Sequence, residues 1–177
     1  MLTLFSQCGG NGKSNTNNPT THCHDAINYF GAKQREITWD EELETGKVKE
    51  TKRPIKDEFY DKYLRNIREF KKDEFTELYY HSIPDLQTNN CWVVIERILK
   101  ISNYHTYYLV DLSNQIILVD LASFEDYPDG KKRAKSVFLD DRILKKTEIL
   151  EYLGDYDDQI NKNEIVTDSL TYLFTVE

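Results

Sequence analysis

The sequence predicts an α+β fold, a single domain over residues 1–177 in which an antiparallel sheet packs against helices. Two observations predict it. Residues 91–121 are rich in β-branched and aromatic side chains and are broken by short turns, which is typical of a strand meander. Between 55 and 72, apolar residues recur every three or four positions, the period of a helix that buries one face.

The N-terminal part of the chain predicts short elements. In chain order these are a strand over 1–6, a flexible Gly/Asn-rich loop over about 9–18, a helix over 19–30 and a polar hairpin over 37–51. The loop is predicted because Gly and Asn favour turn conformations. Pro19 suits the first turn of the helix, and Gly31 suits its end.

The remaining elements follow the same reasoning. They are a helix over 55–72, a second helical segment over 73–81, meander strands over 91–101, 104–112 and 115–121, a helix over 139–153, and a strand over 169–176. Ser113-Asn114 predicts a two-residue turn inside the meander, and Pro128-Asp129-Gly130 predicts the turn that closes it. The last strand is predicted to complete the sheet because its apolar side chains alternate.

Composition excludes several classes of protein. The chain has 177 residues, with 23 Lys+Arg against 31 Asp+Glu and a formal net charge of −8. An acidic protein lacks the surplus of cations that general nucleic-acid binding needs. No apolar run approaches the length of a membrane span, and the first residues lack the basic region of a signal peptide. We therefore expect a cytoplasmic protein with no membrane or direct nucleic-acid partner.

Cysteine and histidine usage predicts neither a disulfide framework nor a metal centre. The three cysteines are an odd number and widely spaced, and Cys91 is best interpreted as a small buried hydrophobe. Cys8 and the consecutive His22, Cys23 and His24 are the candidate zinc ligands. Adjacent side chains point in different directions, so this spacing favours polar residues at a helix start. No cofactor is predicted, and zinc retained through dialysis would contradict this.

Two catalytic motifs are partly present in the sequence, and each lacks one required residue. Gly12-Lys13-Ser14 resembles a phosphate-binding loop, but the glycine required five positions earlier is Gln7. Asp85 and Glu96 resemble the carboxylate pair of metal-dependent nucleases, but Ile98 occupies the position of the catalytic lysine. Glu96 is expected at a solvated strand edge, or paired with Arg97 or a nearby lysine. No enzyme is predicted, and a nuclease using Asp85 and Glu96 remains the alternative.

One further histidine was considered as a catalytic group. His105 lies in the meander and would act as a general base only if a nucleophile lay opposite. A histidine on a strand face is more often structural.

The net charge is unevenly distributed along the chain. Residues 131–146 contain seven cations against two aspartates, a net charge of +5, and residues 148–177 contain one lysine against eight carboxylates, a net charge of −7. Within the acidic part, carboxylates alternate with tyrosines that offer contact area and a polar tip. The predicted partner-binding residues are Glu151, Tyr152, Asp155, Tyr156, Asp157 and Asp158.

In its size, its acidity, its Met1-Leu2-Thr3-Leu4-Phe5-Ser6 start and its aromatic-rich meander over 91–121, the chain resembles bacterial immunity proteins. These neutralise the toxic C-terminal domain in contact-dependent growth inhibition and related polymorphic toxin systems. The resemblance implies a one-to-one complex with a cognate toxin, often a nuclease, whose active site or substrate surface is blocked.

Two other modes of inhibition stay open from the sequence. A toxin hairpin adding a strand to an exposed sheet edge is a second way to form the complex. A phage-type inhibitor that imitates the charge of nucleic acid is another alternative, and such an inhibitor would bind several unrelated nucleases.

Overall fold

The computed structural model describes residues 24–39, 52–87, 90–102, 104–128, 130–152 and 164–174. These residues form one ten-stranded mixed sheet with short helical turns, so the chain is predominantly β. The predicted α+β class, a sheet packed with helices, is therefore wrong. The error arises because local apolar periodicity predicts helices over 55–72, 73–81 and 139–153.

The strands are β1 (Lys33–Gln34), β2 (Glu36–Ile37), β3 (Arg53–Pro54), β4 (Thr76–Pro84), β5 (Trp92–Leu99), β6 (Tyr104–Asp111), β7 (Ile116–Tyr127), β8 (Gly130–Phe138), β9 (Ile143–Tyr152) and β10 (Glu164–Leu173). The helical segments are α1 (His24–Ile27), α2 (Asp57–Phe59), a π-helical turn (Tyr60–Leu64) and a 3-10 turn (Arg68–Phe70). From β4 to β10, each strand pairs antiparallel with the next.

The segment 33–37 ties the first long strand to a distant one. β1 pairs parallel with the end of β4, and β2, one residue later, pairs antiparallel with β8. The amide of Asp85 donates to the carbonyl of Gln34, and the amide of Phe138 donates to that of Arg35. Because β1 and β2 are almost continuous, β4 and β8 are held close together at this point and the sheet curls on itself.

The curled sheet has two apolar clusters. One lies between the helical segments and β4–β6, and it is rich in aromatic rings, such as Phe59, which stands edge-on to Tyr80 at 5.0 Å between ring centres. The other joins residues from β2 and β5–β9, including Trp92, Leu109 and Leu144. A sheet covered on both faces needs apolar residues on both sides of its strands, and β5 has them.

The predicted helix over 55–72 is wrong as a continuous element. It survives only as α2, the π-helical turn and the 3-10 turn, and Ile67 between them is extended. The apolar stripe itself is buried as predicted, including Phe59, Tyr63, Ile67 and Phe70. Packing large rings onto the sheet governs this region, and it overrides the regular helical hydrogen bonds.

Two other predicted helices are strands. The segment assigned to 73–81 lies largely in β4, whose residues alternate between buried and half-buried, the period of a strand. The segment assigned to 139–153 contains β9, which pairs with β8 on one side and β10 on the other. Both segments form strands because hydrogen bonds to strands distant in the sequence satisfy their backbone groups. The spacing of apolar residues within one segment does not reveal those partner strands.

The meander is confirmed, and the final strand is present but lies over Glu164–Leu173 instead of the predicted 169–176. β5, β6 and β7 follow one another antiparallel, and β10 completes the far edge of the sheet. Tyr127 pairs with Gly130, as the predicted closing turn requires. The turn at Ser113-Asn114 is longer than predicted, because Asp111 pairs with Ile116 around it.

The N-terminal predictions are tested only in part. The strand over 1–6, the loop over 9–18, residues 19–23 of the predicted helix and residues 40–51 of the polar hairpin lie outside the described residues. Within the described part of the predicted helix, residues 24–30, His24–Ile27 is helical. Gly31 serves a different purpose from ending a helix. Its amide donates to the carbonyl of His81, and a Cβ there would lie 2.6 Å from that oxygen.

The prediction for Cys91 as a simple buried hydrophobe is incomplete. Cys91 is 4% exposed, as a core residue would be, but it is disulfide-bonded. Cys8 and Cys23 are the other cysteines of the sequence, and they lie outside the described residues. A covalent bond therefore anchors the start of β5 to another part of the chain.

Candidate partner-binding surface

Two of the six predicted partner-binding residues lie at the end of β9. Glu151 and Tyr152 are the last residues of β9, and Tyr152 pairs with Glu164 of β10. Asp155, Tyr156, Asp157 and Asp158 follow in the sequence and lie outside the described residues, as does the side chain of Tyr152. Only the carboxylate of Glu151 is described, and it accepts a hydrogen bond from Arg133 at 3.0 Å.

The cations that precede this end are largely paired within the sheet. Of the seven in residues 131–146, four form ion pairs within the described residues, namely Lys132 with Glu148, Arg133 with Glu151, Lys135 with Glu36, and Lys146 with Asp120 and Glu148. Two of these five contacts join β8 to β9, since the two strands run antiparallel and place Lys132 and Arg133 near Glu148 and Glu151. The basic segment therefore offers much less free positive charge than its sequence implies.

Lys146 is the most buried of these cations. Its side chain is 3% exposed, and its Nζ lies 2.7 Å from Asp120 Oδ2 and 3.0 Å from Glu148 Oε1. Burial lowers the pKa of Lys146, but hydrogen bonds to the two carboxylates outweigh burial and raise the pKa above its ordinary value. The same hydrogen bond lowers the pKa of Glu148. Lys146 is therefore charged and serves to hold β7 against β9.

β10 contrasts with the rest of the sheet in its exposure. It is the last strand in the sheet order, and residues 165–171 are exposed on both faces. Four of its apolar residues are exposed, namely Ile165, Val166, Leu170 and Leu173. Asp168 also lies here, and its carboxylate accepts a hydrogen bond from the amide of Ser169. This strand is an accessible surface of the kind that a protein partner covers.

A buried polar cluster, missed at the level of sequence, lies around Glu96. Its Oε1 accepts hydrogen bonds from Lys52 at 2.6 Å and Tyr107 at 3.2 Å, and it lies 2.9 Å from His105 Nδ1. Burial raises the pKa of Glu96, but the hydrogen bond from His105 and the charge of Lys52 together lower the pKa below its ordinary value. Glu96 is therefore an ionised buried carboxylate, not a residue at a solvated edge or a partner of Arg97. Of the predicted alternatives, pairing with a lysine is the one that the structure has, and the lysine is Lys52.

The tyrosine beside this cluster is also perturbed. Burial, with a hydrogen bond that Tyr79 donates to Glu77, raises the pKa of Tyr79 to about 12. Lys52 Nζ lies 5.7 Å from the centre of the Tyr79 ring, within cation–π range. Lys52 thus contacts both the carboxylate of Glu96 and the ring of Tyr79 within the fold.

The Glu96–His105 pair has the form of a general base and its orienting carboxylate, but its location argues against that use. Both residues are 3% exposed. A general base must reach the proton it removes, directly or through one water. The buried pair is better explained as a structural device that joins β5, β6 and the segment before β3.

Asp85 has a different environment from Glu96. It follows the end of β4, is about half exposed, and pairs with Arg35 at 3.2 Å. Each carboxylate of the nuclease alternative thus has a cation of its own, and Asp85 lies well beyond the part of β4 that pairs with Glu96. In the described ranges, no three His, Cys, Asp or Glu side chains come together to hold a metal, and Cys8, His22, Cys23 and the side chain of His24 lie outside those ranges.

No family model, curated protein or solved structure matches this chain. Within the part of the chain that the structure describes, no helix has the length and apolar character needed to cross a bilayer.

Proposed function

We propose that this protein is an immunity protein that binds a cognate toxin domain and blocks its active site or substrate surface. The observation that carries the proposal is the acidic excess of residues 148–177, where there are eight carboxylates against one lysine. Cations of β8 and β9 pair with two of those carboxylates, Glu148 and Glu151, so an outside partner is expected to meet the remaining ones. A basic protein surface is the partner that such an excess attracts.

The expected toxin is a nuclease, because nucleases present Lys and Arg to phosphate groups. In the complex, Asp155, Asp157 and Asp158 pair with those cations in place of the nucleic acid, and Glu151 joins them by exchanging its bond from Arg133. Tyr152 and Tyr156 add contact area with a polar tip. Charge steering of this kind acts mainly on the association rate, which should fall as salt concentration rises.

The test first reads the neighbouring gene, where the proposal expects a large secreted toxin, and then uses the C-terminal domain of that toxin. Reversing Asp155, Asp157 and Asp158 to Lys should abolish protection of cells that express the toxin domain, and should weaken its binding by isothermal titration. The matched control reverses Asp61, Glu69 and Glu74, which are exposed and lie far away in sequence. Equal protection by both triple variants would remove the acidic segment from the proposal.

The cytoplasm is part of this proposal, and the disulfide at Cys91 is the observation that bears against it. Cytosolic thiols are normally kept reduced. Alkylation of free thiols immediately on cell lysis tests the point directly. Full labelling of Cys91 would agree with a cytoplasmic protein, and protection of Cys91 until a reductant is added would place the protein in an oxidising compartment.

The nuclease alternative is less well supported. Glu96 is buried and already bonded to Lys52 and His105, and Asp85 is paired with Arg35. Release of acid-soluble nucleotides from DNA or RNA by the purified protein with Mg²⁺, lost in Asp85→Asn, would restore it. The mimic of nucleic acid makes a different prediction, which is inhibition of several unrelated nucleases at similar concentrations.

A further inference from the structure

The outer edge of β10 offers backbone groups for pairing. β10 forms ten residue pairs with β9 on one side. No strand among the described residues pairs with its other side. In an antiparallel edge strand, every second residue directs its N–H and C=O outward. About half of the backbone groups of β10 therefore face away from the sheet, ready to pair with another strand.

The side chains of β10 do not discourage such pairing. Natural edge strands usually carry Lys, Pro or a bulge that prevents edge-to-edge association. Residues 164–173 contain no Lys, Arg or Pro, and the β9–β10 register is continuous. Ile165 and Leu173, near the two ends, are 63% and 79% exposed. A long and regular edge strand with exposed apolar side chains of this kind can pair with a strand of another molecule.

We propose that a second copy of this chain covers the edge, with the two β10 strands antiparallel about a two-fold axis at Ser169. This proposal does not rest on toxin binding. A two-fold axis normal to the sheet must pass through a pair of identical residues. An axis at Asp168 would place two carboxylates opposite each other, whereas an axis at Ser169 pairs Asp168 with Leu170 and still uses residues 165–173.

The remaining pairs in this register are favourable. Thr167 faces Thr171, Val166 faces Tyr172, and Ile165 faces Leu173, each twice because of the symmetry. Threonine pairs and pairs of aromatic with β-branched residues are among those that stabilise antiparallel strands. The exposed apolar residues at the two ends of β10 thus cover each other across the axis.

The charges of the hairpin also complement each other in this arrangement. One end of the hairpin has Glu151 and Glu164, and the opposite end has Arg142 and Lys145. The side chains of Arg142 and Lys145 are exposed and make no ion pair within the described ranges. Antiparallel association places the acidic end of each copy near the basic end of the other, and it keeps the two acidic ends apart.

The test measures mass by light scattering after size exclusion. The wild-type chain should elute with twice its chain mass of 20.9 kDa. Ser169→Asp adds carboxylates at the axis, next to those of Asp168, and should raise the dimer dissociation constant at least about tenfold. Ser102→Asp, in the exposed turn between β5 and β6, makes the same change elsewhere and should leave the dimer intact.

Cysteine cross-linking tests the register itself. Under mild oxidation, Ser169→Cys should form a covalent dimer, because the two residues face each other at the axis. Thr167→Cys should not, since Thr167 faces Thr171 of the other copy. A monomeric wild type would overturn the proposal and leave the edge to a different partner, such as a toxin strand. Cross-linking at 167 and not at 169 would overturn the register.

Discussion

The buried carboxylate of Glu96 gives the sharpest test of how this sheet is held together. We consider Glu96→Gln, which keeps the size of the side chain and removes its charge. Lys52 Nζ would then be left without its partner, and the two side chains are only 14% and 4% exposed. Removing one member of a buried pair typically costs 3–5 kcal/mol, and the partial access of water to Lys52 favours the low end. We expect a loss of about 3 kcal/mol.

The matched control lies on the neighbouring strand. Glu77→Gln makes the same change to a carboxylate that also accepts a bond from a lysine, at 2.7 Å from Lys100. That pair is 50% and 38% exposed, so its loss should cost less than about 1 kcal/mol. Urea unfolding separates the two variants, since about 3 kcal/mol corresponds to roughly 1.5 M in midpoint for a slope near 2 kcal/mol/M.

Acid should reduce the difference between wild type and Glu96→Gln. The folded pKa of Glu96 lies below its ordinary value of 4.5, so ionised Glu96 stabilises the fold fully above pH 4.5. This contribution is lost as pH falls through the folded pKa. A Lys52→Met, Glu96→Gln double variant should be more stable than Glu96→Gln, because no unpaired ammonium remains. A loss under about 1 kcal/mol at pH 7, or a difference that acid leaves unchanged, would refute this reasoning.

Three further changes test other parts of the fold. Lys146→Met should cost about 2–3 kcal/mol in urea unfolding because it takes the buried ammonium away from Asp120 and leaves Glu148 with only its longer contact to Lys132, whereas Lys145→Met, at an exposed position, should cost under about 0.5 kcal/mol; equal losses would contradict the role of the buried ammonium. Gly31→Ala should cost about 1–3 kcal/mol in thermal unfolding, since its Cβ would meet the carbonyl of His81, and an unchanged midpoint would contradict that contact. Reduction of the disulfide at Cys91 should cost about 2–4 kcal/mol, and identical melting with and without dithiothreitol would argue against it.

The parts of the fold that the sequence predicts well are those with local signals. The meander from 91 to 121 is confirmed because short turns and β-branched runs report on neighbouring strands. The segment of β9 predicts a helix because Ile143, Leu144 and Ile149 fit a helical face as well as they fit a strand. Its two partners, β8 and β10, decide the outcome, and neither is visible in a local window.

The sequence around Glu96 contains a pattern that indicates its burial. The strand around it is apolar at consecutive positions from Trp92 to Ile95, which indicates a strand covered on both faces. A carboxylate on such a strand must either find cations or lose its charge. The signal predicts burial and a partner, but it cannot identify Lys52, because that residue is 44 positions away in the chain.

The same limit applies to charge summed along the sequence. Residues 131–146 carry a net charge of +5, which suggests a basic surface next to an acidic one. Strand pairing changes that inference, because Arg133 and Lys146 form ion pairs with carboxylates of the sheet and Lys146 is buried. The positive charge that stays exposed without an ion pair in the described ranges includes Arg142 and Lys145, at the end of the hairpin opposite Glu151 and Glu164. A charge sum along the sequence therefore differs from the charge that a partner meets, because strand pairing removes cations and carboxylates together, here Arg133 with Glu151 and Lys146 with Glu148.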